Sequence, residues 1–538
     1  MCRLLRPLRG FEPMPAHPST GPSCAPARAG PSSCLMVLCR CTRLRFPTGS
    51  PLRRGPSASP ARNWQRLARS ACIVLPIRWG IATVVGVSDA TGWDATLGDF
   101  ERRQKQARAM GDSGKLARRA AEGRLDARQR ISILLDDGSF TEIGTLAGPV
   151  PADALVAGVG TIDGRPVAVG AEDFTTMGGS IGPAATRKRW RIADIAGRER
   201  IPWIMLLEGA GHRPPMPGDP GGGGPNDLQA QAALSGLVPM VCGVMGPSAG
   251  HGAVTALLCD FSIMTPDAAI FTAGPPVVEA SMGERVGKEE LGGPEVAVGA
   301  GTIHNTAVDD AGLLAQIRSY LSYFGSSAWE RPPALDIGDA GPRRIERIVD
   351  LVPRDGRRGY DMAAVMDEVV DAAEYLEIQP DFGQSIICAL ARIGSEAVGV
   401  VANQPAALAG SIDTAAATKA AHFISVCDSF HLPLVFLTDN PGVLAGTASE
   451  RAGVLRASAR MYAAQTRATT TKIHVTLRKA FGFGSCVMAM NPHDSQTLSF
   501  AFPAATVGAM GAAGAGRAVG AAERLGQDLQ RAEEESAY

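Results

Sequence analysis

The sequence predicts an α/β protein made of two copies of one domain, preceded by an N-terminal extension of different composition. Three observations lead to this prediction. Residues 165–180 and 396–411 align without a gap at an offset of 231 residues. In each copy, apolar runs typical of buried strands alternate with segments typical of helices, which favours parallel strands joined by crossover helices. Residues 1–88 contain many arginines, no lysine and one acidic residue.

The overall composition narrows the classes of function. The chain has 538 residues, enough for several domains, and its 53 basic and 53 acidic residues give a net charge of +0. No global charge therefore attracts nucleic acid or an anionic membrane, and no apolar run reaches the ~18 residues of a membrane-spanning helix. The 11 cysteines have no zinc-ligand spacing and are typical of free thiols in a reducing compartment. We expect a cytoplasmic protein with no metal site.

The N-terminal extension, residues 1–88, has two interpretations. An arginine-rich segment poor in acidic residues is typical of an organellar transit peptide. A disordered extension, or translation from a start site that is too far upstream, explains the composition equally well. We interpret residues 1–88 as a disordered or spurious extension and place the two domains at residues 89–338 and 339–538.

The elements of the two domains follow in chain order. Amphipathic spacing from Leu97 to Leu135 predicts two helices, interrupted near Gly111–Gly114, and a turn at 136–139 leads to a strand beginning at Phe140. Each copy then contains a strand, a glycine-containing loop, a helix and a second strand. These predicted elements are strands 167–170 and 398–401, helices 186–198 and 416–429, and strands 204–207 and 434–437.

Two glycine-rich turns carry the predicted chemistry. A third strand in each copy, 239–245 and 473–477, runs into a glycine-rich turn that opens a helix, 246–252 in the first copy and 478–485 in the second. Such a turn directs backbone N–H groups and a helix N-terminus at one point, where they stabilise negative charge on a ligand oxygen. Two such turns predict that two ligand oxygens are bound by one protein.

The first turn also supports a competing hypothesis. Gly246-Pro-Ser248-Ala-Gly250 matches the nucleophile elbow of a hydrolase, and Asp260 and His304 follow in an order that a hydrolase could use. The second turn keeps its glycines but has no serine at the corresponding place, which favours Ser248 as a small turn residue. A serine hydrolase and a catalytically silent scaffold subunit remain alternatives.

Several sequence runs together resemble a known family, the carboxyltransferase (β) subunit of biotin-dependent acyl-CoA carboxylases of the acetyl-/propionyl-CoA type. The resemblance extends from about Asp94 to Gly520. It rests on 289–293 with 304–306, 360–362, 377–380, 401–405, 439–442 and 478–480. The resemblance implies two tandem crotonase-like (ββα superhelix) domains. It also implies a reaction in which a carboxyl group moves from carboxybiotin to the α-carbon of a short-chain acyl-CoA through an enolate.

The resemblance further implies where the substrates bind. Acyl-CoA is expected in the N-terminal half, and carboxybiotin in the C-terminal half of a neighbouring subunit. The expected oxyanion-stabilising (catalytic) residues are Gly250, His251, Gly252, Phe483 and Gly484. The expected acyl-CoA-binding residues are Gly178, Gly179, Ser180 and Ala249. The expected biotin-binding residues are Gly410, Gly442, Gly482, Ser485 and Cys486. His251 and Phe483 depart from the family pattern, in which glycine is common at both places.

The absence of two sequence motifs predicts which partner proteins the chain needs. It has neither a Met-Lys-Met biotin attachment site nor an ATP-binding glycine-rich loop. The resemblance therefore implies that carboxybiotin arrives on a biotin carboxylase or biotin carboxyl carrier subunit, and that no cofactor is covalently bound. It also implies a homo-oligomer, expected to be a hexamer. A biotin-dependent decarboxylase that runs the transfer backwards is the alternative within the family.

Overall fold

The computed structural model describes residues 93–510 apart from 218, 220–223, 340–343 and 492–496. The predicted extension, residues 1–88, and the end of the second predicted domain lie outside the described residues. All described residues belong to one structural unit. Within the described residues, no helix is long and apolar enough to cross a membrane.

The described chain begins with helices α1, Trp93–Arg108, α2, Ser113–Ala121, and α3, Ala127–Leu134. The prediction of two helices over this segment was wrong, since α2 and α3 are separate. The first helix ends before Met110, which has φ 61°, and Gly111 then packs so closely against Thr175 that a Cβ on it would lie 2.1 Å from the Thr175 carbonyl oxygen. The side chain of Asp112 caps α2, and Asp126 begins α3 with a capping box.

The first sheet belongs to the first copy. Its strands are β1, Thr141–Glu142, β2, Leu155–Ile162, β3, Arg165–Glu172, β4, Trp203–Gly209, β5, Met240–Ala249, β6, Phe261–Met264, β7, Ala269–Phe271, and β8, Asn305–Thr306. They lie in the order β1-β2-β3-β4-β5-β6-β8, with β7 beside the end of β5. Strands β1 to β3 are antiparallel, and the pairs from β3 through β8 are parallel. The accompanying helices are α4, Pro183–Glu199, α5, Asp227–Ala232, α6, His251–Leu257, α7, Pro275–Met282, α8, Lys288–Gly292, α9, Pro294–Gly299, and α10, Asp310–Ser322.

The second sheet repeats this plan. Its strands are β9, Tyr375–Ile378, β10, Ile386–Ile393, β11, Glu396–Asn403, β12, Leu434–Asn440, β13, Lys472–Phe481, β14, Thr497–Ala501, and β15, Thr506–Gly508. They lie in the order β9-β10-β11-β12-β13-β14, with β15 beside the end of β13. The helices of this half are α11, Ile348–Leu351, α12, Met362–Val369, α13, Thr414–Ser429, α14, Thr447–Arg451, α15, Val454–Arg467, and α16, Gly482–Val487.

The predicted duplication is confirmed by matching backbone features. Crossover helices α4 and α13 join parallel strands in each half, as the repeat predicts. Isolated parallel bridges join Ile181 to His212 and Ile412 to Val443 at the same offset of 231 residues. The placement of the domain boundary between residues 338 and 339 stays a prediction.

The two glycine-rich turns are shorter than the sequence predicts. Strand β5 continues to Ala249 because residues 247–249 pair with β7. Strand β13 continues to Phe481 because residues 479–481 pair with β15. Each turn is thereby reduced to one glycine, Gly250 with φ 54° and Gly482 with φ 56°. Positive φ is a conformation that glycine adopts without strain.

The two halves share one hydrophobic core. The largest apolar cluster contains Leu313 and Phe324 from the first half and Phe423 and Phe430 from the second. The rings of Phe324 and Phe430 meet edge to face, with centroids 5.5 Å apart. Asn305 adds two hydrogen bonds to the backbone of the second half, at 2.8 and 2.9 Å. The halves therefore pack as one body with a site at the end of each sheet.

Candidate active site

The first candidate site lies where β3, β4 and β5 end together. Gly179 lies so close to β4 that a Cβ on it would come within 2.1 Å of the carbonyl oxygen of Glu208. At the end of β4, Gly209 pairs with Ser248 of β5. A Cβ on Gly211 would lie 3.0 Å from the carbonyl oxygen of Ala249. The structure thus brings the predicted acyl-CoA segments 178–180 and 249–252 to one edge of the sheet.

The backbone donors of this turn differ in availability. The N–H of Gly250 donates to the carbonyl oxygen of Phe271 at 3.1 Å, so Gly250 is not the free donor that the sequence led us to expect. His251 and Gly252 begin α6, and N–H groups in the first turn of a helix have no acceptor within the helix. The hydroxyl of Ser180 donates locally to the carbonyl oxygen of Met177 at 2.8 Å. The donors available to a ligand are therefore the N–H groups of His251 and Gly252.

A chain of ion pairs and hydrogen bonds connects the first turn to the interior of the sheet. Arg189 contacts Glu172 and Asp227 at 2.9 Å each. Asp227 contacts Nε2 of His251 at 2.8 Å, and Nδ1 of His251 lies 3.1 Å from Nε2 of His212. Four charged or titratable side chains therefore connect the sheet interior to the exposed ring of His212.

Burial and charge set the pKa values in this chain. Burial raises the pKa of Glu172, although the positive charge of Arg189 acts in the opposite direction. For Asp227, burial also acts to raise the pKa, but His251 and Arg189 outweigh it and the pKa is lowered. The pKa of His212 is lowered by burial and then by the nearby His251. Near neutral pH the arrangement keeps Asp227 ionised and His212 neutral.

The second candidate site has the same backbone plan, with the amides Asn403 and Asn440 in place of the ionic chain and a buried ion pair between Asp439 and Arg478 at 2.9 Å. A Cβ on Gly410 would lie 2.4 Å from the carbonyl oxygen of Asp439, as at Gly179 in the first half. Asn403 accepts from the side chain of Asn440 at 3.1 Å and donates to the carbonyl oxygen of Gly410 at 3.2 Å. Asn440 in turn accepts from the N–H of Gly442 at 2.9 Å. The predicted biotin-binding glycines are therefore tied together by amide side chains.

The turn at Gly482 places the remaining residues predicted for the biotin site beside Gly442. A Cβ on Gly484 would lie 2.7 Å from Cα of Gly442, so the two backbones are in contact. Ser485 donates its hydroxyl to the carbonyl oxygen of Gly482 at 2.7 Å. Phe483 is 39% exposed and Cys486 is partly exposed. A small ligand at this turn would meet backbone N–H groups beside the exposed rings of Phe483 and Tyr462, whose centroids are 5.5 Å apart.

The structure does not assemble the alternative hydrolase site. Ser248 is fully buried, and its hydroxyl has no hydrogen-bond partner among the described residues. His304 contacts the hydroxyl of Ser262 at 2.8 Å. Ser262 pairs with Cys242, six residues before Ser248 along β5, which is about 20 Å at the usual rise of a strand. Asp260 accepts from the N–H of Met240, so none of the three hydrolase candidates contacts another.

Sequence reasoning missed the ionic chain and a second charged cluster. Glu208 is fully buried and is contacted by three arginines from the N-terminal helical segment, at 2.6 to 2.9 Å. These arginines are Arg119, Arg124 and Arg130. The sequence repeat did indicate that the two copies differ in charge, because Glu172 and Arg189 align with the uncharged Asn403 and Ala420.

Comparison with known proteins identifies the family. The carboxyl transferase domain family matches residues 118–537. The chain belongs to this family. Among similar proteins, the methylmalonyl-CoA carboxyltransferase 12S subunit of Propionibacterium freudenreichii subsp. shermanii is 36% identical over 443 residues, covering 80% of this chain and 84% of its own. The mitochondrial propionyl-CoA carboxylase beta chain of Homo sapiens is 33% identical over 431 residues, covering 77% of this chain and 80% of its own.

A solved structure agrees with both the fold and the family. A transcarboxylase 12S structure, described as a hexamer assembly with hydrolysed methylmalonyl-coenzyme A bound, has a TM-score of 0.74 and 34% identity. It covers 80% of this chain and 88% of its own. The predicted crotonase-like fold is thereby confirmed. The predicted class of enzyme, a carboxyltransferase component of a biotin-dependent acyl-CoA carboxylase, is confirmed as well.

Proposed function

We propose that this carboxyltransferase binds a short-chain acyl-CoA at the first turn and stabilises its enolate there. The observation that carries the proposal is the pair of N–H groups of His251 and Gly252, which head α6 at the end of β5. Removal of an α-proton places negative charge on the thioester oxygen, and preorganised backbone donors lower the energy of that charge. Residues 178–180 border the same turn and would line the acyl group.

The second turn is proposed to receive carboxybiotin, which supplies the activated carboxyl group when a partner delivers it. The N–H groups of Phe483 and Gly484 lie in the first turn of α16 and are its donors for the biotin oxygen. The backbones of Gly442 and Gly484 are in contact beside the Oδ1 atom of Asn440, and neither glycine has a side chain that would keep a flat ring away. Gly410, Gly482, Ser485 and Cys486 would complete this site.

Propionyl-CoA and acetyl-CoA are the proposed acyl substrates. Relatives named propionyl-CoA carboxylase beta chain cover more than three quarters of this chain at 33–35% identity. The similar transcarboxylase 12S binds methylmalonyl-CoA, the carboxylated form of propionyl-CoA. Most of these relatives are carboxylases or carboxyltransferases, which favours transfer to the acyl group over the decarboxylase alternative.

The working enzyme is proposed to be a homo-oligomer, with a hexamer as the specific form, in which two chains complete each site. Each half exposes several large apolar side chains, and exposed apolar surface is typical of interfaces. In the first half these residues are Val254, Leu257, Val277 and Met282; in the second they are Leu455, Tyr462, Phe483, Leu498 and Phe500. A biotin carboxylase or biotin carboxyl carrier subunit is the proposed partner. A cytoplasmic location completes the proposal, since the five described cysteines are free thiols.

The proposal is tested by carboxyl transfer from free carboxybiotin to a panel of acyl-CoAs of increasing chain length. We expect transfer to propionyl-CoA and acetyl-CoA and a fall in kcat/KM for longer chains. Absence of transfer to every acyl-CoA, with the carrier subunit present, would reject the proposed reaction.

A pair of variants tests the backbone donor separately from the side chain. His251→Pro removes the N–H at the first position of α6, where proline is tolerated, and we expect kcat to fall about 10²- to 10³-fold. His251→Ala removes the imidazole and keeps the N–H, so its kcat should fall far less. Equal losses in the two variants would show that the N–H of His251 is not an oxyanion donor.

A further inference from the structure

The proposed donor peptides of the first turn lie between and beside two glycines. His251 follows Gly250, which has φ 54° and ψ −111°, and precedes Gly252. Glycine restricts its own backbone less than any other residue does, so this triplet has little rigidity of its own. Helix α6 has only seven residues, and a helix that short is marginally stable without tertiary contacts. Contacts outside the triplet must therefore fix the direction of its N–H groups.

The imidazole of His251 provides one such contact. Its Nε2 lies 2.8 Å from Oδ2 of Asp227, and its side chain is only 15% exposed. Burial acts to raise the pKa of Asp227, but His251 and Arg189 outweigh it and lower the pKa. The acceptor is thus a carboxylate, and a hydrogen bond to a charged group is stronger than one between neutral groups. Because both neighbours of His251 are glycines, its ring is the one side chain through which the triplet can be held.

Asp227 is itself held in place from the interior of the sheet. It is 4% exposed, and its Oδ2 also accepts from Nε of Arg189 at 2.9 Å. The other nitrogens of Arg189 donate to Glu172 at 2.9 Å and to the hydroxyl of Thr255 at 2.5 Å. That hydroxyl donates to the carbonyl oxygen of His251 at 3.2 Å. A single buried arginine therefore connects both the ring and the carbonyl group of His251 to the sheet.

The second half holds its corresponding triplet by other means. Phe483 likewise lies between two glycines, Gly482 and Gly484. A Cβ on Gly484 would lie 2.7 Å from Cα of Gly442, so this triplet packs against another backbone. The ring of Phe483 contacts the ring of Tyr462, with centroids 5.5 Å apart, and offers no hydrogen-bonding group. A directional contact through the side chain is therefore a feature of the first turn.

We propose that Asp227 is a positioning residue of the first turn. Through the ring of His251 it fixes the direction of the N–H groups of His251 and Gly252, and it touches neither the substrate nor the reacting atoms. The proposal rests on the proposed function, in which these N–H groups stabilise the enolate. The thioester oxygen carries a full negative charge only after the α-proton has left, so misdirected donors reduce kcat more than they raise KM.

A double-mutant cycle in the full-length protein tests whether Asp227 acts through His251. Carboxyl transfer to propionyl-CoA is measured for Asp227→Ala, His251→Ala and the double variant. We expect each single change to lower kcat about 10-fold and to leave KM within about twofold. The double variant should lose no more than either single variant, because both changes remove the same hydrogen bond. Multiplied losses of about 100-fold, or a change in KM alone, would overturn the proposal.

Two further variants separate positioning from a general loss of stability. Asp227→Asn keeps an oxygen acceptor for His251 and should retain more of kcat than Asp227→Ala does. Asp260→Ala is the matched control, because Asp260 is also a buried carboxylate beside β5 and accepts from the N–H of Met240, at the start of that strand, at 2.8 Å. Its kcat should stay within about twofold of the wild-type value at temperatures where every variant is folded. Equal losses in Asp260→Ala and Asp227→Ala would refute a specific role for Asp227.

A binding measurement that needs no turnover separates this proposal from the proposed function. Calorimetry compares a CoA thioether that carries a nitronate, which resembles the enolate, with the neutral propyl-CoA thioether. The wild-type protein should prefer the nitronate, and Asp227→Ala should reduce this preference about 10-fold. If the wild-type protein transfers no carboxyl group yet shows this difference, the proposed function fails and the positioning role stands. If it transfers the carboxyl group and the preference is equal in both proteins, the positioning role fails and the proposed function stands.

Discussion

The two halves place equivalent backbones around different charges. In the first half Glu172 accepts from the N–H of Glu208 at 2.9 Å, and in the second Asn403 accepts from the N–H of Asp439 at 3.2 Å. These positions correspond at the offset of 231 residues. Glu172 is neutralised by Arg189, whose counterpart is Ala420. The comparison teaches that the turn geometry depends on backbone contacts, which both halves share. The charged side chains around the two turns differ without changing that geometry.

The largest effect is expected from giving the second half the charge of the first. Asn403→Asp would place a carboxylate in a fully buried position that has no arginine like Arg189, and would turn a donor to the carbonyl oxygen of Gly410 into an acceptor. An uncompensated buried charge costs about 3–5 kcal/mol of unfolding free energy. Denaturant unfolding at pH 7 measures the loss. A loss below about 1 kcal/mol would mean that the second site can compensate a carboxylate as well as the first.

In each half the glycine loop packs closely against the second strand of the parallel pair, β4 or β12. Substitution of the loop glycine should destabilise either half nearly as much as Asn403→Asp. Gly179→Ala and Gly410→Ala each place a Cβ within 2.1 to 2.4 Å of a backbone oxygen. We expect each to lower the free energy of unfolding by about 3 kcal/mol. Gly178→Ala is the matched control, because its Cβ would meet nothing within 4 Å and the equivalent Ala409 already has φ 54°. Control and test variants of equal stability would refute the steric explanation.

A difference in pH dependence is expected next. Burial raises the pKa of Glu172 above its ordinary value of 4.5, so the folded state holds this proton more tightly than the unfolded chain does. The contribution of Glu172 to stability therefore becomes more favourable as the pH falls toward 4.5 and less favourable as it rises to neutrality. Glu172→Gln should cost about 1 kcal/mol at pH 7 and more at pH 5. Asn403→Ser, measured in parallel, should show a cost that does not change with pH.

The smallest effect is expected at the first residue pair of α6. A Cβ on Gly252 would lie 3.0 Å from the hydroxyl oxygen of Ser248. This contact costs about 1 kcal/mol, but alanine also favours the helix by a similar amount, so Gly252→Ala should be near neutral. Adding Ser248→Ala should raise its melting temperature by about 1 °C. Gly484→Ala, which would meet backbone at 2.7 Å in the second half, should be clearly less stable than Gly252→Ala.

The duplicated architecture could be predicted from the sequence because each strand and turn has a local sequence pattern that both copies share. Apolar runs and glycines recur at one offset, and each marks a strand or a turn. The lengths of the turns could not be predicted, since β5 and β13 are extended by pairing with β7 and β15, short strands from later in the chain. The separation of α2 from α3 depends on the capping box that begins α3 at Asp126, and the prediction gave this short local signal too little weight.

The predicted site residues were easier to find than the groups that support them. Glycines at the ends of strands have a local signature, so Gly179, Gly250 and Gly482 could be named from the sequence, and their roles stay predictions. The chain from Glu172 to His212 joins residues that are far apart in sequence and become neighbours only when β3, α4 and α6 pack together. Its members are also common in solvent-exposed positions, so residue type alone does not reveal them.

Helix α7 has a consequence for how the enzyme behaves on dilution. It spans eight residues, none of which is buried within the chain, and Met282 at its end is 77% exposed. A helix this short is only marginally stable in water without tertiary contacts. If the proposed oligomer covers this face, mass action governs how often α7 is open to a protease. Cleavage near Met282 would then accelerate as the protein concentration falls, and its concentration midpoint would report the dissociation constant of the assembly.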